Sequence, residues 1–310
     1  MFGTPVWLWL IFAILVLLLL AVDLLIFHRR PHKIGIREAL IESAGWISVS
    51  LLFNLGVYFW RGPHAAIHFF TSYLIEKSLS VDNIFLFYLI LRAFRVREEF
   101  HHKVLYYGVL GAIVMRGIFV AAGIELLNLF HPFLYIFGAL LLGTGARMLL
   151  PRRKEPHPEK NWLVRAFGKI FPVAEDDASG KFWIRRDGRR FITSIFLALV
   201  AVEVMDIVFA IDSVPAVLAI TRDAFIVYSS NVFAILGLRA LYFALAGFLP
   251  RLRFLHQGLA GILIFVGIKM VAADRVDIAD IVSLGIVAGI LLVTTAASLL
   301  WPKASAAIED

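Results

Sequence analysis

The chain has 310 residues, 61% of them hydrophobic, no cysteine and a formal net charge of +7, with a mean hydropathy of +0.85. A soluble domain is nearer half apolar, and the lack of cysteine excludes disulfides, thiolate metal ligands and thiol nucleophiles from these residues. In a soluble protein the positive charge would raise nucleic acid as a partner; here it lies between apolar runs and reports topology, so no nucleic-acid partner is expected.

Apolar runs of about twenty residues follow one another, long enough to cross a bilayer core of roughly 30 Å. The alternating pattern of membrane strands is missing, and backbone in lipid must satisfy its own hydrogen bonds, so the runs are predicted to be helices. Nine spans are expected, over 6–27, 38–60, 66–91, 104–126, 132–150, 192–219, 226–248, 255–273 and 280–301. The first lacks the basic start of a signal peptide and is expected to be retained. The chain then divides into 1–65 with two spans, a three-span unit over 66–150, a basic loop over 151–191, a second three-span unit over 192–275, and the last span and tail over 276–310.

Basic residues alternate strictly between the two sets of loops. One set holds Arg29, Arg30, Lys33 and Arg37, then Arg92, Arg95, Arg97 and Lys103, then the long loop, then Arg251 and Arg253; the other holds only Arg61, Arg222 and Arg275. The positive-inside rule places the N-terminus outside and the C-terminus on the cytoplasmic side of the membrane. Within the spans there is a repeat. Glu76 and Asp82 are six residues apart, as are Asp206 and Asp212; the next span of each unit carries Arg116 or Arg239, and the third ends in Arg147-Met148 or Lys269-Met270. Span 3 runs inward and span 6 outward, so spans 3–5 and 6–8 form an inverted repeat, an architecture of secondary transporters with a site near the midplane.

Ionisable residues inside spans are costly, by roughly 2.5–3.5 kcal/mol each on insertion scales. Here they are Glu76, Asp82, Glu203, Asp206 and Asp212, against the cations Lys77, Arg116 and Arg239. The bland reading is that they are interhelical ion pairs, with Arg116 and Arg239 each holding an acid. The surplus of acids calls for a bound divalent cation or protons. The expected metal ligands are Glu76, Asp82, Asn83, Glu203, Asp206 and Asp212, an all-oxygen set suited to a hard cation such as Mn²⁺, Ca²⁺ or Mg²⁺. The cation is a transported substrate, with protons as counter-ion and no permanently bound cofactor. A straight helix cannot aim all these groups at one centre, since Asp212 lies half a turn from Glu203. Pro215 predicts a broken span 6 whose freed carbonyls join the site.

Other features carry less. Met205 is expected in the core, His64 and His68 form an i,i+4 pair at the outer mouth, and His101-His102 read as solvated. Asp23 and Glu125 sit near span ends within reach of headgroups, Asn54 and Asn231 read as interhelical amides, and Gly285 and Gly289 offer a homodimer contact through span 9. No HExxH, phosphate-binding loop or nucleophile elbow is present, so an enzyme is not expected.

The segments FFTSYLIEKSLSVDNIF (69–85) and VAVEVMDIVFAIDSVPAV (200–217), extended by YYGVLGAIVMRG (106–117) and SNVFAILGLRALYF (230–243), closely resemble the TerC family, and its Alx-type branch in particular. The resemblance covers nearly the whole chain and is weakest over 151–190. It implies an all-α membrane protein of the LysE-like inverted-repeat type, export of manganese, and the family's association with tellurium resistance and alkaline stress. It also places the family's essential acids on Glu76, Asp82, Glu203, Asp206 and Asp212. A rival implication is a membrane-protein assembly or metalation factor that uses the basic loop as a docking surface; a cation channel is a third reading.

Overall fold

The computed structural model describes residues 4–23, 35–130, 132–150, 173–174, 180–186, 189–245, 254–276 and 278–300. The side chains of Asp82, Phe85, Val173, Ala174, Arg186, Arg189, Leu255 and Leu299 are not described. The described helices are α1 (Val6–Val22), α2 (Ile36–Arg61), α3 (Pro63–Ala93), α4 (Glu98–Leu129), α5 (Phe133–Leu149), α6 (Ser194–Leu218), α7 (Ala224–Leu236), α8 (Leu238–Leu245), α9 (Leu255–Ala272) and α10 (Asp280–Leu300). Among the described residues, five stretches are long and apolar enough to cross a membrane: α2, α4, α6, Ala224–Ala244 and Asp280–Ser298. Outward faces are apolar: Phe59 is 78% exposed and Leu292 71%. Patches of that kind belong in lipid rather than water. The architecture is therefore that of an all-α integral membrane protein.

Local chemistry sets the helix ends. α2 and α3 meet at Gly62, whose φ of 87° suits glycine, and Pro63 opens α3 at a position where a missing N–H costs nothing. Asp223 caps α7, accepting from the backbone N–H groups of Phe225 (3.0 Å) and Ile226 (3.2 Å). Thr193 caps α6 through the N–H of Phe196 at 3.4 Å.

Packing is reciprocal. α5 lies along α9, α4 along α6, and α3 along α7. The α5–α9 seam is backbone-close: a Cβ built on Gly267 would lie 3.0 Å from the Gly138 carbonyl oxygen, and one on Gly138 would lie 3.2 Å from that of Gly267. Glycine permits such an approach, and tight packing is what holds helices together in lipid. An aromatic cluster of Phe12, Phe53, Phe225 and Phe233 seats α1 against α2 and α7; Phe53 and Phe233 have ring centroids 4.5 Å apart. A second apolar core, including Leu141, Val217, Ile262 and Val266, fills the space between α5, α6 and α9.

Several expectations are corrected. α6 runs unbroken from Ser194 to Leu218, so span 6 is not a broken helix. Pro215 falls in the last turn, where it withholds one donor from the Ile211 carbonyl just before the chain leaves the helix. The interruption falls in the seventh run instead: α7 ends at Leu236, Gly237 adopts φ −84° and ψ 4°, and α8 starts at Leu238. A three-stranded sheet, absent from the sequence reading, precedes α6. Its strands are β1 (Val173–Ala174), β2 (Trp183–Arg186) and β3 (Arg189–Thr193). Their order is β1-β3-β2, with β3 parallel to β1 and antiparallel to β2. His101 is not solvated: it is buried in α4 and bonds the Val96 carbonyl and the Tyr242 hydroxyl, both at 3.0 Å. Met205 packs against the main core, as expected of it.

Candidate functional site

The buried ionisable residues separate into three places. At the first, Arg116 of α4 donates through Nη1 to Glu76 Oε1 of α3 and, at 3.0 Å, to Asn231 Oδ1 of α7. Its Nη2 lies 3.6 Å from Asp206 Oδ1 of α6. Arg116 is 1% exposed and Glu76 0%. Asn231 is held by its own amide, which donates to the Val227 carbonyl at 2.8 Å. Four helices thus converge on one guanidinium. Two carboxylates share it, leaving a formal surplus of one negative charge, and among the described residues Glu76 Oε2 and Asp206 Oδ2 have no hydrogen-bond partner. Buried polar atoms are nearly always partnered, so two unpartnered carboxylate oxygens at one guanidinium make this the described buried cluster with the most unsatisfied negative charge.

The second place is a cavity of about 170 Å³ between α3, α5, α6 and α9. Its polar lining is Asn83, Thr144, Asp212 and Ser213, and Met148 belongs to the same lining. Thr144 Oγ1 donates to Asp212 Oδ1 at 2.9 Å. Ser213 Oγ is buried and unpartnered among the described residues. Leu79, Phe209, Leu259 and Leu263 close the rest of the wall. One carboxylate, an amide, two hydroxyls and a thioether in an apolar wall form a donor set for a small cation. Volume is sufficient for an ion that keeps some of its water.

Glu203, one turn before Asp206 on the same helix, lies beside the first group without a described bond to Arg116. It is half-buried on α6 and fills the space opposite Gly111 of α4, where an added Cβ would fall 2.1 Å from Glu203 Oε1. The third charged place is Arg239 of α8, whose Nη2 donates to Asp23 at the end of α1 and, at 3.0 Å, to Glu42 of α2. All three are buried. Asp23 therefore faces the interior of the helix bundle and not the headgroups, because Arg239 offers it a countercharge there. Lys77 donates from α3 to the Ala234 carbonyl at 3.2 Å, beside the interruption between α7 and α8. His64 and His68 face Asp280, at 3.8 and 2.8 Å.

The six sequence-predicted ligands are thus distributed. Glu76 and Asp206 share Arg116, Asn83 and Asp212 share the cavity, Glu203 lies at Gly111, and the Asp82 side chain is outside the described residues. Among the described residues no three histidine or acidic side chains come together as a metal cage. Thr144, Ser213 and Met148 were missed as lining residues. A lone threonine in FLYIFGALLLGTGARML was the available signal, because a hydroxyl in an otherwise apolar span needs a partner.

Buried carboxylates, one guanidinium clamp and an oxygen-lined cavity inside an apolar bundle define an integral membrane protein with a functional polar interior. The chain belongs to the TerC family of integral membrane proteins, whose pattern matches residues 61–306. An uncharacterised membrane protein of Myxococcus xanthus is 43% identical over 298 residues, 96% of this chain and 93% of the relative. Alx of Escherichia coli (strain K12), provisionally described as a membrane-bound redox modulator, is 43% identical over 301 residues, 94% of each chain. An uncharacterised membrane protein of Rickettsia bellii is 36% identical over 292 residues, 94% of this chain and 97% of that one. No solved structure matches the chain.

Proposed function

We propose that this protein is a secondary transporter that exports divalent cations, Mn²⁺ foremost, across the bacterial inner membrane. The observation that carries the reading is the cavity at Asp212, with Asn83, Thr144 and the unpartnered Ser213 hydroxyl in its lining. Oxygen donors suit hard divalent ions, Mn²⁺ among them, and Met148 adds a softer side chain to the same lining. The Arg116 cluster sits on the same helices α3 and α6 and carries the surplus negative charge. A proton taken up there when the cation leaves the cavity would make the cycle an antiport.

The helix pairing supports nine spans arranged as an inverted repeat. Exchanging the unit α3–α5 with the unit α6–α9 maps the α4–α6 contact onto the α7–α3 contact and the α5–α9 seam onto itself. Alternating access by one unit rocking on the other follows from that arrangement, with the N-terminus outside and the C-terminus cytoplasmic. The description of Alx as a redox modulator applies to that relative. Thiol-based redox chemistry has no side chain to act through in these 310 residues, which contain no cysteine.

The test is total cellular manganese, by mass spectrometry, in an exporter-deficient bacterium under manganese load. The intact protein lowers it; Asp212→Asn, expressed equally, does not. A fall in another metal alone would replace Mn²⁺ as the substrate. If no metal moves, the assembly or metalation factor is the better reading.

A further inference from the structure

The sheet ahead of α6 is basic in an ordered way. In β2 and β3 the register sets Arg185 opposite Arg190 and Arg186 opposite Arg189. Like charges directly opposite each other weaken an antiparallel pair. Arg185 and Arg190 are exposed, and among the described residues neither meets a carboxylate. Trp183, two positions before Arg185 on the edge strand β2, shares its face by the period of two and is 63% exposed. A hairpin with facing arginines and a tryptophan that meets only Phe196 (ring centroids 6.1 Å) among the described rings suits a partner that is both anionic and partly apolar.

The hairpin's position says which partner. β3 runs directly into α6, a helix long and apolar enough to cross the membrane. The strands are also pinned to the start of α4. Lys103 Nζ donates to the Gly180 carbonyl at 2.7 Å and lies 4.5 Å from the Phe182 ring centre; Tyr107 meets the same ring at 5.1 Å. The Thr193 hydroxyl, which caps α6, donates back to the Lys181 carbonyl at 2.7 Å. The sheet is held at the starts of two helices long and apolar enough to cross a membrane, where the headgroups of a bilayer would lie. Tryptophan favours that depth, and arginine forks match phosphate oxygens.

We infer that the β2–β3 hairpin is a binding surface for anionic phospholipid headgroups, with lipid phosphate seated between Arg185 and Arg190 and Trp183 in the interface. Such a surface would anchor the N-terminal end of α6, the helix that carries Glu203, Asp206 and Asp212. It does not depend on which ion the protein moves.

The test uses the full chain in nanodiscs. Because the sequence has no cysteine, Trp183→Cys provides a single attachment point for an environment-sensitive fluorophore, read by quenching with neutral acrylamide. In phosphatidylcholine discs containing phosphatidylglycerol the quenching constant falls severalfold relative to phosphatidylcholine alone. Adding Arg185→Gln and Arg190→Gln abolishes the difference, and Arg185→Lys with Arg190→Lys keeps most of it. Equal protection in both lipids would overturn the inference, since the hairpin would then be inserted by its apolar residues alone. Exposure in both lipids with protection only on adding RNA would also overturn it, in favour of a nucleic-acid surface.

Discussion

Removing Arg116 and removing Glu76 should have opposite weights, although they are the two ends of one ion pair. Arg116 balances Glu76 and Asp206 together, and all three are buried. At 3.6 Å and an effective dielectric of about 20, attraction between Arg116 and Asp206 alone is about 4–5 kcal/mol before desolvation is counted. Arg116→Met leaves two carboxylates with no countercharge, a change that typically costs about 3–5 kcal/mol. For a chain of this size that corresponds to an apparent melting temperature lower by roughly 5–8 °C. Glu76→Gln keeps an oxygen for Arg116 Nη1, removes the surplus charge and leaves Arg116 and Asp206 matched one to one. The expected change is near zero or a slight stabilisation. The assay is intrinsic fluorescence against temperature on the purified protein in one detergent, with both single variants and the double. If Glu76→Gln destabilises as much as Arg116→Met, the charge surplus is not what governs this cluster and the argument fails.

Met148→Leu should retain the fold and reduce the preference for Mn²⁺ over Ca²⁺ severalfold in a proteoliposome competition assay, because it removes the one soft donor in the cavity lining; unchanged selectivity would exclude the thioether from the site. Gly267→Ala should lower stability by about 1–3 kcal/mol, the usual cost of overpacking, since the new Cβ would sit 3.0 Å from backbone atoms of Gly138 and Leu142. Gly285→Ala and Gly289→Ala meet nothing within 4 Å and should leave the monomer's melting temperature unchanged; a fall in dimer on native electrophoresis would place a homodimer contact on α10. Asp223→Ala removes the cap of α7 and the partner of Arg61, and should cost about 1–2 kcal/mol, read in the same melting assay.

The membrane class, the helical character and the presence of acids inside the spans are legible in the sequence. Length of an apolar run decides whether it can cross lipid, and an acid placed there stands out against a known insertion cost. Glu76, Asp206 and Asp212 could be picked on that ground alone, and the repeat of their spacing was visible without any contact. Partners are a different matter. Helical periodicity tells which residues share a face, not which face of which other helix it meets. Arg116 was expected to hold an acid, but that it holds Glu76 and Asp206 at once depends on α3, α4, α6 and α7 converging. Arg239, at the matching position of the second unit, pairs instead with Asp23 and Glu42 from the first two helices, so equivalent positions acquired different countercharges. Pro215 read as a break because proline withholds one backbone donor; the fold puts it in the last turn, where little helix remains to be broken, and the interruption falls at Gly237. Thr144 carried almost no signal, because a single hydroxyl becomes a site residue only when packing brings α5 against α6 and Asp212 within 2.9 Å of it. Apolar run length and charge content are properties of the sequence; the burial of each charge and its assignment to a partner are made by long-range packing, and only the tertiary structure decides them.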